Sequence, residues 1–288
     1  MNMALTLDKV SKRYESSGFW LKDISFNLPE GSILGFIGQN GAGKTTTISC
    51  ILNTIKKDNG RIMVLGREMT DQTMDIKEEI GVVFDGDNFP PYLSAEELSK
   101  VMSGIYRKWD QPLFCNYLQR FKLPLRQKIK SFSRGMSMQL AIAVALAHHP
   151  RLLLLDEATG GLDPLMRDEI LDILLEFVQT EDHSILLSSH ITGDLEKIAD
   201  HIVLIDHGEI ILNKPKDELI YDYGIMRCLV KELPEVDPED IISYRKREFQ
   251  VDILVADKDK LSRKYKKLTI DNTTLDEIML LLVKGEKA

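Results

Sequence analysis

The stretch Ile33–Leu52, ILGFIGQNGAGKTTTISCIL, decides the reading of this chain. An apolar strand runs into glycines, then Lys44, then the hydroxyls of Thr45 and Thr46, then residues suited to a helix. Gly38, Gly43, Lys44 and Thr45 satisfy the spacing G-x-x-x-x-G-K-[ST]. Glycines there allow a tight loop whose backbone N–H groups turn inward on phosphate oxygens, and a helix opening at the loop adds positive potential. Lys44 has the reach for β- and γ-phosphates and Thr45 the hydroxyl for Mg²⁺, while Asn40, Gly41 and Thr46 complete the cradle. By itself the stretch says that a nucleoside triphosphate binds. Kinases, switches, motors and transporters all carry such a loop.

Leu152–Pro164, LLLLDEATGGLDP, supplies the second piece. A buried-type strand ends in adjacent carboxylates, and strand side chains alternate, so Asp156 and Glu157 are expected to point apart. Asp156, directly after the apolar run, is the Mg²⁺ candidate. Glu157 is then placed to orient and activate a water against the γ-phosphate. A carboxylate poised beside the metal site favours hydrolysis over transfer to an acceptor hydroxyl.

Outward from these pieces, the continuous apolar runs at 32–38, 152–155 and 184–189 read as strands buried on both faces of a parallel sheet. Residues 21–28 alternate and read as a half-buried antiparallel strand. One helix is predicted from Lys44 to Lys57, stopped by Asn59-Gly60, and another from Pro164, with Asp163 as its N-cap. Residues from about 88 to 134 read as a helical insertion, and residues 202–212 as two strands around His207-Gly208. After Pro215 the character changes to short strands and a closing helix at 274–285. The expected division is a domain over 1–220, with a helical subdomain at about 88–150, and a small α+β accessory domain over 221–288.

The 288 residues carry a net charge of −8, which argues against nucleic acid as the main partner. The three cysteines have no metal-ligand spacing and fit a reduced, cytosolic chain. The first residues show no charged-then-apolar leader pattern, and the longest apolar run, Leu140–Ala147, is far short of the roughly 20 residues that span a bilayer. Any membrane role must then pass through a partner.

Between the phosphate loop and the carboxylate strand stands Ser131–Pro150, SFSRGMSMQLAIAVALAHHP. Here the chain resembles the ATP-binding cassette (ABC) ATPases, whose signature, usually L-S-G-G-Q, corresponds to Phe132-Ser133-Arg134-Gly135-Met136. Phosphate loop, signature, carboxylate strand, Gly161-Leu162-Asp163-Pro164 and the strand-end His190 follow in the family's order across about 210 residues. The resemblance implies a P-loop cassette: a parallel sheet core, an antiparallel β subdomain and a helical insertion. It implies that Tyr14 stacks on adenine and His190 contacts the γ-phosphate. Ser133 and Gly135 would touch the γ-phosphate of ATP held by an opposing subunit, and Asp163 would sit in the loop between subunits. Ser133 and Asp163 also read simply as helix caps.

Two positions depart from the pattern. Asp85 stands where the family has a glutamine that meets Mg²⁺ and the attacking water; a carboxylate approaches a metal but cannot donate a hydrogen bond. Arg134 replaces the signature's first glycine and has two readings: it lends charge to the phosphate across the interface, or it points at solvent. The resemblance further implies an ATPase subunit using ATP and Mg²⁺, pairing with a second such subunit, identical or related. It would sit on the inner face of the membrane through a separate transmembrane permease and drive export, since S-x-G-M signatures resemble the drug, antibiotic and bacteriocin branch. Phe89, Pro90, Pro91 and Tyr92 offer apolar surface for the permease. The alternatives are a soluble ABC ATPase and an ATP-sensing regulatory module.

Overall fold

The computed structural model describes residues 2–15, 18–86 and 88–287. In chain order the elements are β1 (Met3–Arg13), β2 (Trp20–Pro29), β3 (Ile33–Ile37), α1 (Lys44–Ile51), β4 (Asn59–Val64), β5 (Arg67–Glu68), β6 (Ile80–Val83), α2 (Ala95–Ile105), α3 (Gln111–Arg120), α4 (Arg134–Leu146), β7 (Leu152–Asp156) and α5 (Pro164–Phe177). Then follow β8 (Ser184–Ser189), α6 (Thr192–Ile198), β9 (His201–Asp206), β10 (Glu209–Pro215), α7 (Lys216–Tyr221), β11 (Gly224–Leu229), β12 (Ser243–Lys246), β13 (Gln250–Val255), α8 (Lys258–Lys264), β14 (Thr269–Asn272) and α9 (Leu275–Lys284).

The central sheet has six strands in the order β10-β9-β3-β8-β7-β6. β9, β3, β8, β7 and β6 pair in parallel, and β10 closes the edge antiparallel to β9. Continuous apolar runs form these strands because both faces are covered. Leu34, Phe36, Leu152, Leu154 and Leu186 enter one core, under the antiparallel sheet β2-β1-β4-β5. Ile33, Ile37, Leu153, Leu155, Ile185 and Leu187 enter the other, under α4 and α5. The β9–β10 hairpin turns through His207 (φ 44°) and Gly208 (φ 77°). A Cβ at Gly208 would lie 2.0 Å from the Trp20 carbonyl oxygen, so the turn packs on β2 only with glycine there.

α1 ends at Ile51, short of the predicted Lys57. Asn53 takes a left-handed backbone (φ 51°), its N–H returns to the Cys50 carbonyl and the Thr54 N–H to that of Ser49, both at 3.0 Å. That pair of bonds is a Schellman stop, which asparagine tolerates well.

α2 and α3 fill the layer beside α4. Ser94 and Glu97 form a capping box at the start of α2. α4 is buried along most of its length and approaches β6 closely, with the Ala145 carbonyl 2.8 Å from where a Cβ of Gly81 would stand. His148, just beyond α4, is buried, stacks on Tyr106 with ring centroids 3.9 Å apart, and places Nε2 3.1 Å from the Ile80 carbonyl oxygen. Burial holds its imidazole below the ordinary value of 6.5. Above that value the ring is neutral in folded and unfolded chains alike. Below it the unfolded chain takes up a proton first, so stability falls with pH from about 6.5 down to the depressed folded value. Thermal melts from pH 7 to pH 5 should show this loss, and His148→Phe, although less stable at pH 7, should show a flatter profile.

Beyond α7 a sheet in the order β12-β13-β11-β14 carries α8 on one face and α9 on the other. Met226, Val251, Ile253 and Leu261 form a small core of their own. Ile225, Leu254, Leu275, Ile278 and Leu281 join the large core of the central sheet. The Leu275 N–H donates to Glu196 Oε1 of α6 at 2.7 Å, tying α9 to the body.

Candidate functional site

The parallel register sets Ile37 beside Ser189 and Asp156 beside Ser188, so β3, β7 and β8 end at one level. Ligands of open α/β sheets bind at such carboxyl ends. Here a cleft of about 590 Å³ is lined by Tyr14, Phe19, Gln39, Asn40, Gly41, Gly43, Lys44, Thr45, Thr46, Asp85, Asp156 and Glu157.

After β3 the loop closes through Gly41 (φ 82°) and Gly43 (φ 120°). A Cβ at Gly38 would lie 2.6 Å from the Ile205 carbonyl oxygen, so the loop lies flat on β9. No side chain caps the first turn of α1, which leaves its N–H groups to the cleft. Lys44 is only 6% exposed; its Nζ donates to the Gly38 carbonyl at 2.7 Å and meets Glu157 Oε1 at 3.2 Å. Asp156, 3% exposed, accepts from Thr45 Oγ1 at 2.5 Å and Ser188 Oγ at 2.7 Å.

Glu157 points elsewhere, and the pleat alone does not cause it. β7 ends at Asp156, and Glu157 turns into the left-handed region (φ 55°), its N–H on the Ser188 carbonyl at 3.0 Å and its carbonyl accepting from Gly160 N–H at 3.0 Å. A glutamate in this region is strained by about 1–3 kcal/mol, a cost typical of residues held for chemistry. Glu157 Oε2 lies 2.5 Å from His190 Nδ1, while Oε1 is buried and accepts no hydrogen bond. The carboxylate therefore spans from the Lys44 ammonium on Oε1 to the His190 ring on Oε2.

Hard oxygen donors thus converge at Thr45 and Asp156, with Asp85 on the same cleft. Among the described residues no three or more His, Cys, Asp or Glu side chains make a metal cage alone. A threonine hydroxyl with one or two carboxylates is a donor set of the kind Mg²⁺ takes, the rest of its shell being phosphate oxygens and water. Tyr14 lies at the cleft's edge beside Phe19, ring centroids 6.4 Å apart.

Ser133, Gly135 and Asp163 lie outside the cleft lining. Ser133 caps α4, accepting from Met136 N–H at 3.2 Å, and Asp163 caps α5, accepting from the Leu165 and Met166 N–H groups at 3.1 Å. A Cβ at Gly135 would lie 2.7 Å from Met166 Sδ, so the starts of α4 and α5 are packed together. Ser133, Asp163 and Leu165 are exposed on that surface. Arg134, about half exposed, donates from Nη2 to Asp85 Oδ1 of the same chain at 2.8 Å, a contact that neither reading of the sequence included. In the apolar stretch after β6, Tyr92 is 75% exposed and Phe89 packs on the core, while Asp87 lies outside the described residues.

Sequence reasoning missed Ser188, Gln39 and Phe19. Ser188 was findable: a hydroxyl in a buried strand beside the strand ending in Asp156 needs a partner, and a carboxylate is one.

The chain matches the family described as ABC transporter over residues 21–160. It is 33% identical over 222 residues to the ABC transporter ATP-binding protein YdbJ of Bacillus subtilis, covering 76% of this chain and 70% of that one. It is 36% identical over 200 residues to the lantibiotic transport ATP-binding protein SrtF of Streptococcus pyogenes, covering 68% and 85%. Among solved structures, the dimeric ATP-binding cassette MJ0796 in a post-hydrolysis state with ADP and Pi superposes with a TM-score of 0.66 at 23% identity, over 74% of this chain and 98% of that one. The last of these likenesses is one of fold.

Proposed function

Because the chain belongs to the ABC transporter family, as an ATP-binding subunit and ATPase, we propose that it hydrolyses ATP between two subunits and drives a separate membrane permease in export. One observation carries this reading. Lys44, Thr45, Asp156 and Glu157 line one cleft, with His190 on the Glu157 carboxylate, while Ser133 and Asp163 are exposed outside that lining and Gly135 is buried between the starts of α4 and α5. In this reading a phosphate held by the first group is met by the Ser133 and Gly135 of a second subunit. The dimeric MJ0796 cassette supports such a pairing, and the lantibiotic transport role in SrtF's name supports export.

In this reading the loop residues Gly38, Asn40, Gly41, Gly43 and Thr46 bind phosphate through backbone N–H groups, and Tyr14 stacks on the base. Lys44 turns its ammonium from the Gly38 carbonyl to the phosphates. Thr45, Asp156 and Asp85 would hold Mg²⁺, which supplies charge neutralisation at the phosphates. Glu157 orients the attacking water with Oε1 and takes its proton. His190 fixes the Glu157 carboxylate through Oε2, and its ring reaches the γ-phosphate. Ser133 and Gly135 of the partner complete the phosphate's shell, and Asp163 lies in the seam. Residues 1–220 are the ATPase domain, with the helical subdomain at about 88–150, and 221–288 the accessory domain. No helix among the described residues is long and apolar enough to cross a membrane. In this reading the permease is a separate protein, met at Phe89–Tyr92.

The test is coupling. Tagged chain recovered from membranes should bring down an integral membrane protein whose reconstitution raises its ATPase rate several-fold, and substituting Tyr92 should reduce that stimulation. A chain found wholly in the soluble fraction, with a rate indifferent to that protein, ends the transport reading.

A further inference from the structure

The two positions that depart from the family pattern touch each other. Arg134 opens α4 and Asp85 follows β6, 49 residues apart in sequence, yet Nη2 lies 2.8 Å from Oδ1. The guanidinium also lies on the turn after Glu157: a Cβ at Gly161 would stand 3.1 Å from Arg134 Cζ, and one at Gly160 3.7 Å from Nη2. The backbone on both sides of Asp85 is itself held in place. The Asn88 side chain accepts from the Phe84 N–H at 3.0 Å and donates to the Phe84 carbonyl at 2.8 Å and the Gly86 carbonyl at 3.1 Å. One side chain thus joins three separately built parts of the site: the start of α4, the carboxylate facing the cleft, and the turn carrying Glu157.

We propose that Arg134 is a positioning residue that occupies Asp85 until Mg·ATP arrives, and that Asp85 then exchanges the guanidinium for the cation. This rests on the reading of Asp85 as a metal-side carboxylate. Both partners are about half exposed, so the pair is weak enough to exchange. The contact is a single charged hydrogen bond, which another cation at 134 can also make, and the guanidinium packs beside Gly160 and Gly161. A glutamine at 85 would have no need of a cation, and a glycine at 134 would supply none; the two departures make sense together. Loading the nucleotide would free the start of α4 from its own chain, next to Ser133 and Gly135.

The experiment measures binding, in the Glu157→Gln background so that nothing turns over. The ratio of affinities for Mg·ATP and for ATP in EDTA is determined with a fluorescent analogue. Arg134→Gln should raise that ratio about two- to five-fold where Asp85 is present, and leave it unchanged beside Asp85→Asn. Arg134→Lys should stay near the parent. In nucleotide-free protein, Arg134→Gln should speed amide exchange at Asp85–Gly86 and Gly160–Gly161. An unchanged or lowered ratio in the Asp85 background, or the same shift in both backgrounds, overturns the exchange. An Asp156→Asn control that leaves the ratio untouched instead overturns the metal placement, and the exchange with it.

Discussion

Glu157→Gln lowers the rate of phosphate release by about 10²- to 10⁴-fold and leaves ATP binding at least as tight as in the parent. The two halves of this result have separate causes. Oε1 of Glu157 accepts no hydrogen bond and carries only the ion pair with Lys44, so once the ammonium turns to the phosphates it is the atom placed to take a proton from water. Glutamine keeps the shape and can still meet His190 across the 2.5 Å contact, but it has no basic oxygen to offer. Binding does not suffer, because the same substitution removes the charge that holds Lys44 Nζ at 3.2 Å and leaves the ammonium to the phosphates. Steady-state phosphate release beside equilibrium nucleotide binding separates the two. Equal turnover in both proteins would remove Glu157 from the mechanism; loss of binding with loss of turnover would make it a structural residue. His190 acts on the same carboxylate from the other side, so His190→Ala should slow release without abolishing binding, by less than Glu157→Gln does.

The sequence displayed the core of this site because strand-end chemistry is local. An apolar run, a glycine loop and a lysine stand within twelve residues at 33–44, and the sheet only has to bring β7 and β8 alongside. Asp156 and Glu157 were legible for the same reason, although their divergence owes as much to the left-handed turn at Glu157 as to the pleat. The early stop of α1 was not legible. Asn53 and the Asn59-Gly60 pair are both adequate helix stops, and which one acts depends on the bonds to Ser49 and Cys50. The packing of α9 was not legible either: Leu275, Ile278 and Leu281 mark an apolar stripe, but a stripe does not say which core receives it. The Arg134–Asp85 pair lies furthest from view, since it joins residues on separate elements that no local pattern relates. Ser133 and Asp163 showed as caps in both the sequence and the fold, and their second role, toward a partner's phosphate, is one that a single chain cannot display.

That second role has a large and unusual consequence. Lys44→Ala and Ser133→Asp should each reduce ATP turnover by more than about 10²-fold alone, and mixing the two dead proteins should restore it. Lys44→Ala removes the buried ammonium over the loop. Ser133→Asp keeps an oxygen to cap Met136 N–H, so α4 still starts correctly, but it presents a carboxylate to a phosphate approaching from another subunit. In a mixed pair, one site joins the altered loop to the altered signature and is dead twice over. The other joins an intact loop to an intact signature. Random exchange makes about half of the pairs mixed, each with one live site, so a 1:1 mixture should recover about a quarter of the parent rate. If each site lay within one chain, no mixture could recover anything, because every loop would meet its own signature. Light scattering on the ATP-bound mixture checks that mixed pairs form. Mixed pairs that form and stay inactive, or a Ser133→Asp protein that keeps full turnover alone, would return the whole site to a single chain and leave Ser133, Gly135 and Asp163 with no part in hydrolysis.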